Sequence, residues 1–155
     1  MLGLSGCGGD DTPPSVGVTA PAVSASEQQP CRRLLDEVPT TVLELARRDV
    51  EPAQAAAVAW GDPPIVLRCG VDRPRRLQPT SLCTVVNDVG WYAESEGRPL
   101  DGTVPPQGPV VFTTVGRSPY IEVTVPTNPD RNPVDPLTDV AAAVQAATEE
   151  RLPCA

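Results

Sequence analysis

No histidine and no lysine occur in the 155 residues, and the aromatic side chains amount to one Phe, two Trp and two Tyr. The missing histidine removes the commonest acid–base catalyst and the commonest metal ligand together. With lysine also missing, a serine, threonine or cysteine nucleophile has no general base to activate it, so triad-type acyl transfer is excluded. No parallel crossover with a Gly-rich phosphate turn is present. The only glycine cluster, Gly6 to Gly9, precedes no strand-to-helix unit, which leaves nucleotide binding of the Rossmann or P-loop kind without support. No cofactor, no metal and no catalytic residue is therefore nominated. Twelve arginines face twenty carboxylates for a net charge of -8, which argues against nucleic acid and anionic lipid headgroups as partners.

What the chain has in excess is proline, with 20 residues, and five cysteines. Cys7, Cys31, Cys69, Cys83 and Cys154 are never closer than 14 positions, so neither a CxxC redox pair nor paired zinc knuckles can be drawn. Four of them fall in the patterned region and one in a low-complexity start, which points to two disulfides and one thiol with another task. Four cysteines allow three pairings. The preference is Cys31 with Cys154, stapling the outer ends of two helices, and Cys69 with Cys83 on successive strands. Such bonds contribute about 3 kcal/mol for the shorter loop and nearer 5 for the longer, a large share of a marginal stability.

Leu4-Ser5-Gly6-Cys7 fits a bacterial lipobox, in which small residues admit a signal peptidase ahead of a cysteine that then carries lipid. Only Met1 to Gly6 precede it, too few for a basic stretch and an apolar run of about 7 to 15 residues. The expectation is a start codon placed too late, with the leader lying upstream. Gly8 to Pro30 has no sustained period and a composition poor in large apolar groups, and is expected to be a disordered tether. Residues 1–30 are thus assigned to lipobox remnant and tether, and 31–155 to one folded domain.

Pro30, Cys31, Leu34, Leu35 and Val38 predict a short helix ended by Pro39. Thr40 to Glu51 has no clean period and is left irregular or briefly helical. Three hairpins follow: Ala55–Trp60 with Ile65–Val71 around Gly61-Asp62-Pro63-Pro64, Cys83–Asn87 with Trp91–Glu94 around Asp88-Val89-Gly90, and Val110–Val115 with Tyr120–Val125 around Gly116-Arg117-Ser118-Pro119. Ile65, Leu67, Cys69 and Val71 share one face, and Ile121, Val123 and Val125 alternate against Tyr120, Glu122 and Thr124. Asp72–Pro79 is expected to be a surface loop. Asp135-Pro136 predicts an N-cap and a first-turn proline, after which Leu137, Val140, Ala141 and Val144 repeat at helical spacing. The fold class is α+β: an antiparallel sheet of about six strands, with N- and C-terminal helices packed on one face.

The strings AVAWGDPPIVLRCGV, CTVVNDVGWY and FTTVGRSPYIEVTVP resemble an actinobacterial family catalogued as domain of unknown function 3515, over about Cys31 to Leu152. The resemblance implies an exported, lipid-anchored protein of the cell envelope with no assigned activity, and it carries over no catalytic residue.

Two chemistries remain. Glu94 with Glu96, or Asp62 with Asp88, could in principle serve as carboxylate pairs, the alternative being an envelope enzyme using carboxylates and arginine. Arg68 is expected to meet Glu122 as a cross-strand ion pair. The functional alternative is an anion or sugar site in which Arg68 or Arg117 supplies a planar fork and Trp60, Trp91 or Tyr120 a stacking surface, although tryptophans near hairpin turns more often cap a core. The sequence thus points to a non-catalytic binding module, anchored through Cys7 to the outer face of the cytoplasmic membrane. Its partner would be another envelope protein or a cell-wall component.

Overall fold

Alternation in two strands sets the sheet. In a computed structural model, which describes residues 8–9 and 12–154, β-strands β1 (Val16–Gly17), β2 (Thr41–Val42), β3 (Leu45–Arg48), β4 (Val50–Glu51), β5 (Ala57–Trp60), β6 (Ile65–Cys69), β7 (Thr84–Val86), β8 (Val89–Ser95), β9 (Arg98–Pro99), β10 (Val110–Thr114), β11 (Arg117–Ser118), β12 (Ile121–Val125) and β13 (Glu149–Glu150) accompany helices α1 (Gln28–Glu37) and α2 (Asp135–Ala147). β6 and β12 lie side by side and antiparallel, with Leu67 opposite Val123. Ile65, Leu67, Cys69, Ile121, Val123 and Val125 are all buried and their neighbours half-buried, as a period of two requires. The largest sheet has nine strands, ordered β2-β3-β5-β6-β12-β10-β8-β7 with β9 also beside β8. β1 pairs parallel with β4, and β11 antiparallel with β13.

The α+β class and the three hairpins are present, but the sheet has nine strands where six were expected. The stretch left irregular, Thr40 to Glu51, makes β2, β3 and β4. Its turn residues Leu43 and Glu44 have φ of 50° and 64°, the backbone of a two-residue hairpin that sequence ordinarily marks with Asn-Gly or Asp-Gly. The β7–β8 turn sits at Asn87 and Asp88, with φ of 45° and 64°, so Val89 and Gly90 belong to a strand.

Both helices bring apolar side chains to one core. Cys31 and Leu34 of α1 are buried there, as are Leu137, Val140, Ala141 and Val144 of α2, with Trp60, Leu67, Phe112 and Trp91 from the sheet. α1 begins at Gln28, before Pro30, behind a turn in which Glu27 accepts hydrogen bonds from the amide and hydroxyl of Ser24 at 3.1 and 2.8 Å. Asp135 is not the cap of α2 but its first residue; the cap is Val134, which makes no side-chain capping hydrogen bond. The Asp135 charge in the first turn still complements the helix dipole.

The disulfide partners differ from the expected pairing. Cys31 bonds Cys69 and Cys83 bonds Cys154, with Cα separations of 5.5 and 5.9 Å. Sheet order is the reason: β12, β10 and β8 stand between β6 and β7, so cysteines on strands successive in sequence are far apart in space. Cys69 faces inward, where α1 presents the buried Cys31. After α2 the chain returns through β13, the amides of Arg151 and Leu152 donate to the Gly116 carbonyl at 2.7 and 3.1 Å, and Cys154 arrives beside Cys83. Gly90 makes room for this bond, because a Cβ there would collide with the Cys154 sulfur.

The described part of the expected tether is folded against the domain. Val16 is buried and donates to the Asp49 carbonyl at 2.8 Å, Val18 donates to the Glu51 carbonyl at 2.9 Å, and Val23 packs on the core and against Gly70. Arg48 and Arg68 donate to the Pro14 and Thr19 carbonyls at 2.7 and 2.9 Å. The attachment is made mostly by backbone groups, which leave no side-chain period in the sequence. The lipobox, Leu4 to Cys7, lies outside the described residues.

Candidate functional site

Three of the five aromatic and arginine candidates are structural parts. Trp60 and Trp91 are fully buried in the core, and Trp60 donates its Nε1–H to the Pro39 carbonyl at 3.0 Å. Neither offers a stacking face to a ligand. Arg117 is also buried; it donates to Thr148 Oγ1 at 3.3 Å and the Asp88 carbonyl at 3.4 Å, and lies 3.6 Å from the Glu150 carboxylate. It fastens the C-terminal return. Arg68 faces Glu122 across β6 and β12 and pairs with it at 2.8–2.9 Å. Both side chains are largely covered, so this ion pair and the bond to Thr19 occupy the guanidinium. Tyr120 is half-buried beside β12, its carbonyl accepting from the Gly70 amide at 2.9 Å. The five do not converge on one site.

The carboxylates of the two pairs sit in unlike surroundings. Asp62 is exposed in the β5–β6 turn, 3.9 Å from Arg48, and Asp88 is in the β7–β8 turn at the opposite end of the sheet. Glu96 is exposed at a turn with φ of 51°, while Glu94 is half-buried and accepts from the Tyr92 hydroxyl at 3.4 Å. A shallow hollow beside β3 and β4 gathers Asp49 and Glu51 with Arg47 and Arg48. There Arg48 already donates to the Gly61 and Pro14 carbonyls and Arg47 to that of Leu35. Among the described residues no group of three His, Cys, Asp or Glu could hold a metal, and no helix is long and apolar enough to cross a membrane.

The concavity best suited to a ligand lies elsewhere, at the end of the sheet where β6 and β10 begin and β12 ends. Ile65, Val110 and Val125 form its floor, Leu43 and Leu45 one wall, and the loop from Pro126 to Pro136 the other, enclosing about 240 Å³. Five prolines from three separate segments, Pro63, Pro106, and Pro126, Pro133 and Pro136 of the one loop, line it. Prolines suit such a wall, since they present apolar rings without an N–H to satisfy. Two loop amides fix the far wall: Asn128 Oδ1 accepts from the Asp130 amide at 2.9 Å and Asn132 Oδ1 from the Val134 amide at 3.2 Å. The exposed Arg131 sits at the rim and makes no ion pair among the described residues. The exposed Asp62 also lines the cleft, so an apolar floor with a cation and a carboxylate at its mouth can bury a hydrocarbon group while Arg131 pairs an anion attached to it. Sequence reasoning missed this site because its prolines were read as loop breaks. The available signal was their abundance around strand ends.

A family model described as "Protein of unknown function (DUF3515)" matches residues 7–152. No curated protein and no solved structure matches the chain.

Proposed function

For this chain, which belongs to the DUF3515 family of proteins of unknown function, we propose a non-catalytic, extracytoplasmic binding module whose ligand site is the proline-lined cleft. The ligand is an apolar group with an anionic end, presented by another envelope protein or a cell-wall component. The observation that carries this reading is the cleft over the apolar floor of Ile65, Val110 and Val125, contiguous with the core and lined also by Arg131 and Asp62. Two disulfides support an oxidising compartment. Lipidation at Cys7 belongs to the same proposal: the seven residues from Gly8 to Pro14 reach at most about 25 Å when extended, so a lipid on Cys7 would hold the domain close against the membrane.

The cleft is tested with 8-anilinonaphthalene-1-sulfonate, which joins aromatic rings to an anion. The native protein enhances its fluorescence with saturable binding. Thr127→Trp, which plugs the exposed rim, abolishes the enhancement, and Arg131→Ala weakens binding by about tenfold, the scale of one charge-assisted hydrogen bond. Unaltered binding by Thr127→Trp would refute the assignment.

A further inference from the structure

The two disulfides hold both ends of the loop that the sequence marks only as surface. Gly70 to Leu82 runs between Cys69, bonded to Cys31, and Cys83, bonded to Cys154. Both ends are therefore covalently tied to other elements. Within it Leu77 is buried and its amide donates to the Pro74 carbonyl at 3.1 Å; the Ser81 amide donates to the Gln78 carbonyl at 3.0 Å, and the Gln78 amide to Ser81 Oγ at 2.9 Å. The loop has a defined shape although it contains neither helix nor strand.

This loop carries Arg73, Arg75 and Arg76, all exposed. Among the described residues the ion pairs belong to Arg48, Arg68, Arg117 and Arg151, so Arg73, Arg75 and Arg76 make no close ion pair in a chain of net charge -8. Arg75 and Arg76 line a groove of about 480 Å³ together with Gln78, Thr80, Tyr92 and Leu100. Tyr92 points to the sheet face opposite the helices, since Trp91 beside it faces the core. Burial raises the Tyr92 hydroxyl above its ordinary pKa, with Glu94 adding to the rise and Arg76 opposing it; Arg76 and Tyr92 line the same groove. At the other side Asp101 is an acceptor already oriented by the Thr103 amide at 2.9 Å.

We propose that this groove binds an anionic glycan, with Arg75 and Arg76 pairing a carboxylate or phosphate while Gln78, Thr80 and Asp101 exchange hydrogen bonds with sugar hydroxyls. Planar guanidiniums match either oxyanion bidentately. The exposed Leu82 and the half-buried Leu100 supply the apolar surface that a sugar's C–H face needs, with the buried Tyr92 beneath them. Anchoring both loop ends lowers the ordering cost of binding, which gives the two disulfides a role in recognition. The site is separate from the proline-lined cleft and does not rest on it.

The test is an NMR titration of the full chain with glucuronate, glucose 1-phosphate, inorganic phosphate and glucose. The expected result is perturbation of the Arg75 and Arg76 side-chain Nε signals and of the Leu77 and Leu100 amides, with one or both charged sugars binding about tenfold or more tightly than glucose. The stronger of the two identifies the anion. Arg75→Ala with Arg76→Ala removes the difference, Arg75→Lys with Arg76→Lys restores part of it, and Arg32→Ala with Arg33→Ala on α1 leaves it intact. Equal binding of glucose and the charged sugars, or equal loss in the α1 variant, overturns the proposal. Inorganic phosphate binding as tightly as glucose 1-phosphate would overturn the glycan part.

Discussion

Replacing Cys31 and Cys69 together by alanine is expected to lower the unfolding free energy by about 4 kcal/mol, measured by urea denaturation. The bond closes a separation of 38 residues, and restricting a loop of that length in the unfolded chain gives this magnitude. Alanine is the replacement of choice because serine would bury a hydroxyl in the apolar contact between α1 and β6. The Cys83–Cys154 bond spans 71 residues, which by loop length alone ranks it higher. Its native-state hold is weaker, however, since beyond α2 it secures only the two-residue β13 and a short exposed end. The paired alanine variant there is expected to lose less. Mild reductant should open Cys83–Cys154 first, because Cys31 and Cys69 are 2% and 0% exposed while Cys83 and Cys154 are half-exposed. A Cys31/Cys69 variant within about 1 kcal/mol of the parent would show that α1 is held by other contacts.

The second large effect separates the two tryptophans. Trp60→Ala should cost about 3–5 kcal/mol, the range for deleting a fully buried aromatic. Trp60→Phe keeps most of the packing but strands the Pro39 carbonyl that the indole N–H now satisfies at 3.0 Å, a further loss of about 1–2 kcal/mol. Trp91 is as deeply buried, yet its Nε1 has no hydrogen-bond partner among the described residues. Trp91→Phe removes an unpaired donor and strands no acceptor, so only the packing loss remains and it should cost about 1–2 kcal/mol less than Trp60→Phe. Urea midpoints of the two phenylalanine variants test the contrast, and equal losses would contradict it.

Legibility in the sequence followed the range of the interaction. Strands β6 and β12 announce themselves because each has one buried and one half-buried face, and α2 because a wide apolar stripe faces the core. From that alternation Arg68 and Glu122 could be set on the same outer face, and they do pair. The two-residue strands β1, β2, β4, β9, β11 and β13 left no mark: at that length there is no period to detect, and backbone bonds fix them. Leu43 and Glu44 make a tight turn with residues that ordinarily avoid it. The disulfide pairing was closed to local reasoning, since it depends on β12 entering between β6 and β10. The candidate sites were hidden for the same reason. The cleft's prolines come from stretches as distant as Pro63 and Pro136, and the groove joins Arg75 to Leu100 across a hairpin. By contrast, tryptophan and strand arginine attracted attention through residue type alone, and their positions in the fold make them core and fastening groups.

The most direct test of an extracytoplasmic, disulfide-locked module is peptide mapping of the protein recovered from its own host, with free thiols alkylated at lysis and no reductant. Trypsin cuts after arginine, and the twelve arginines of the chain put Cys31, Cys69, Cys83 and Cys154 on four different peptides. The predicted result is two linked pairs, Cys31 with Cys69 and Cys83 with Cys154. Four alkylated cysteines would contradict the compartment, and a peptide joining Cys31 to Cys154 would contradict the fold.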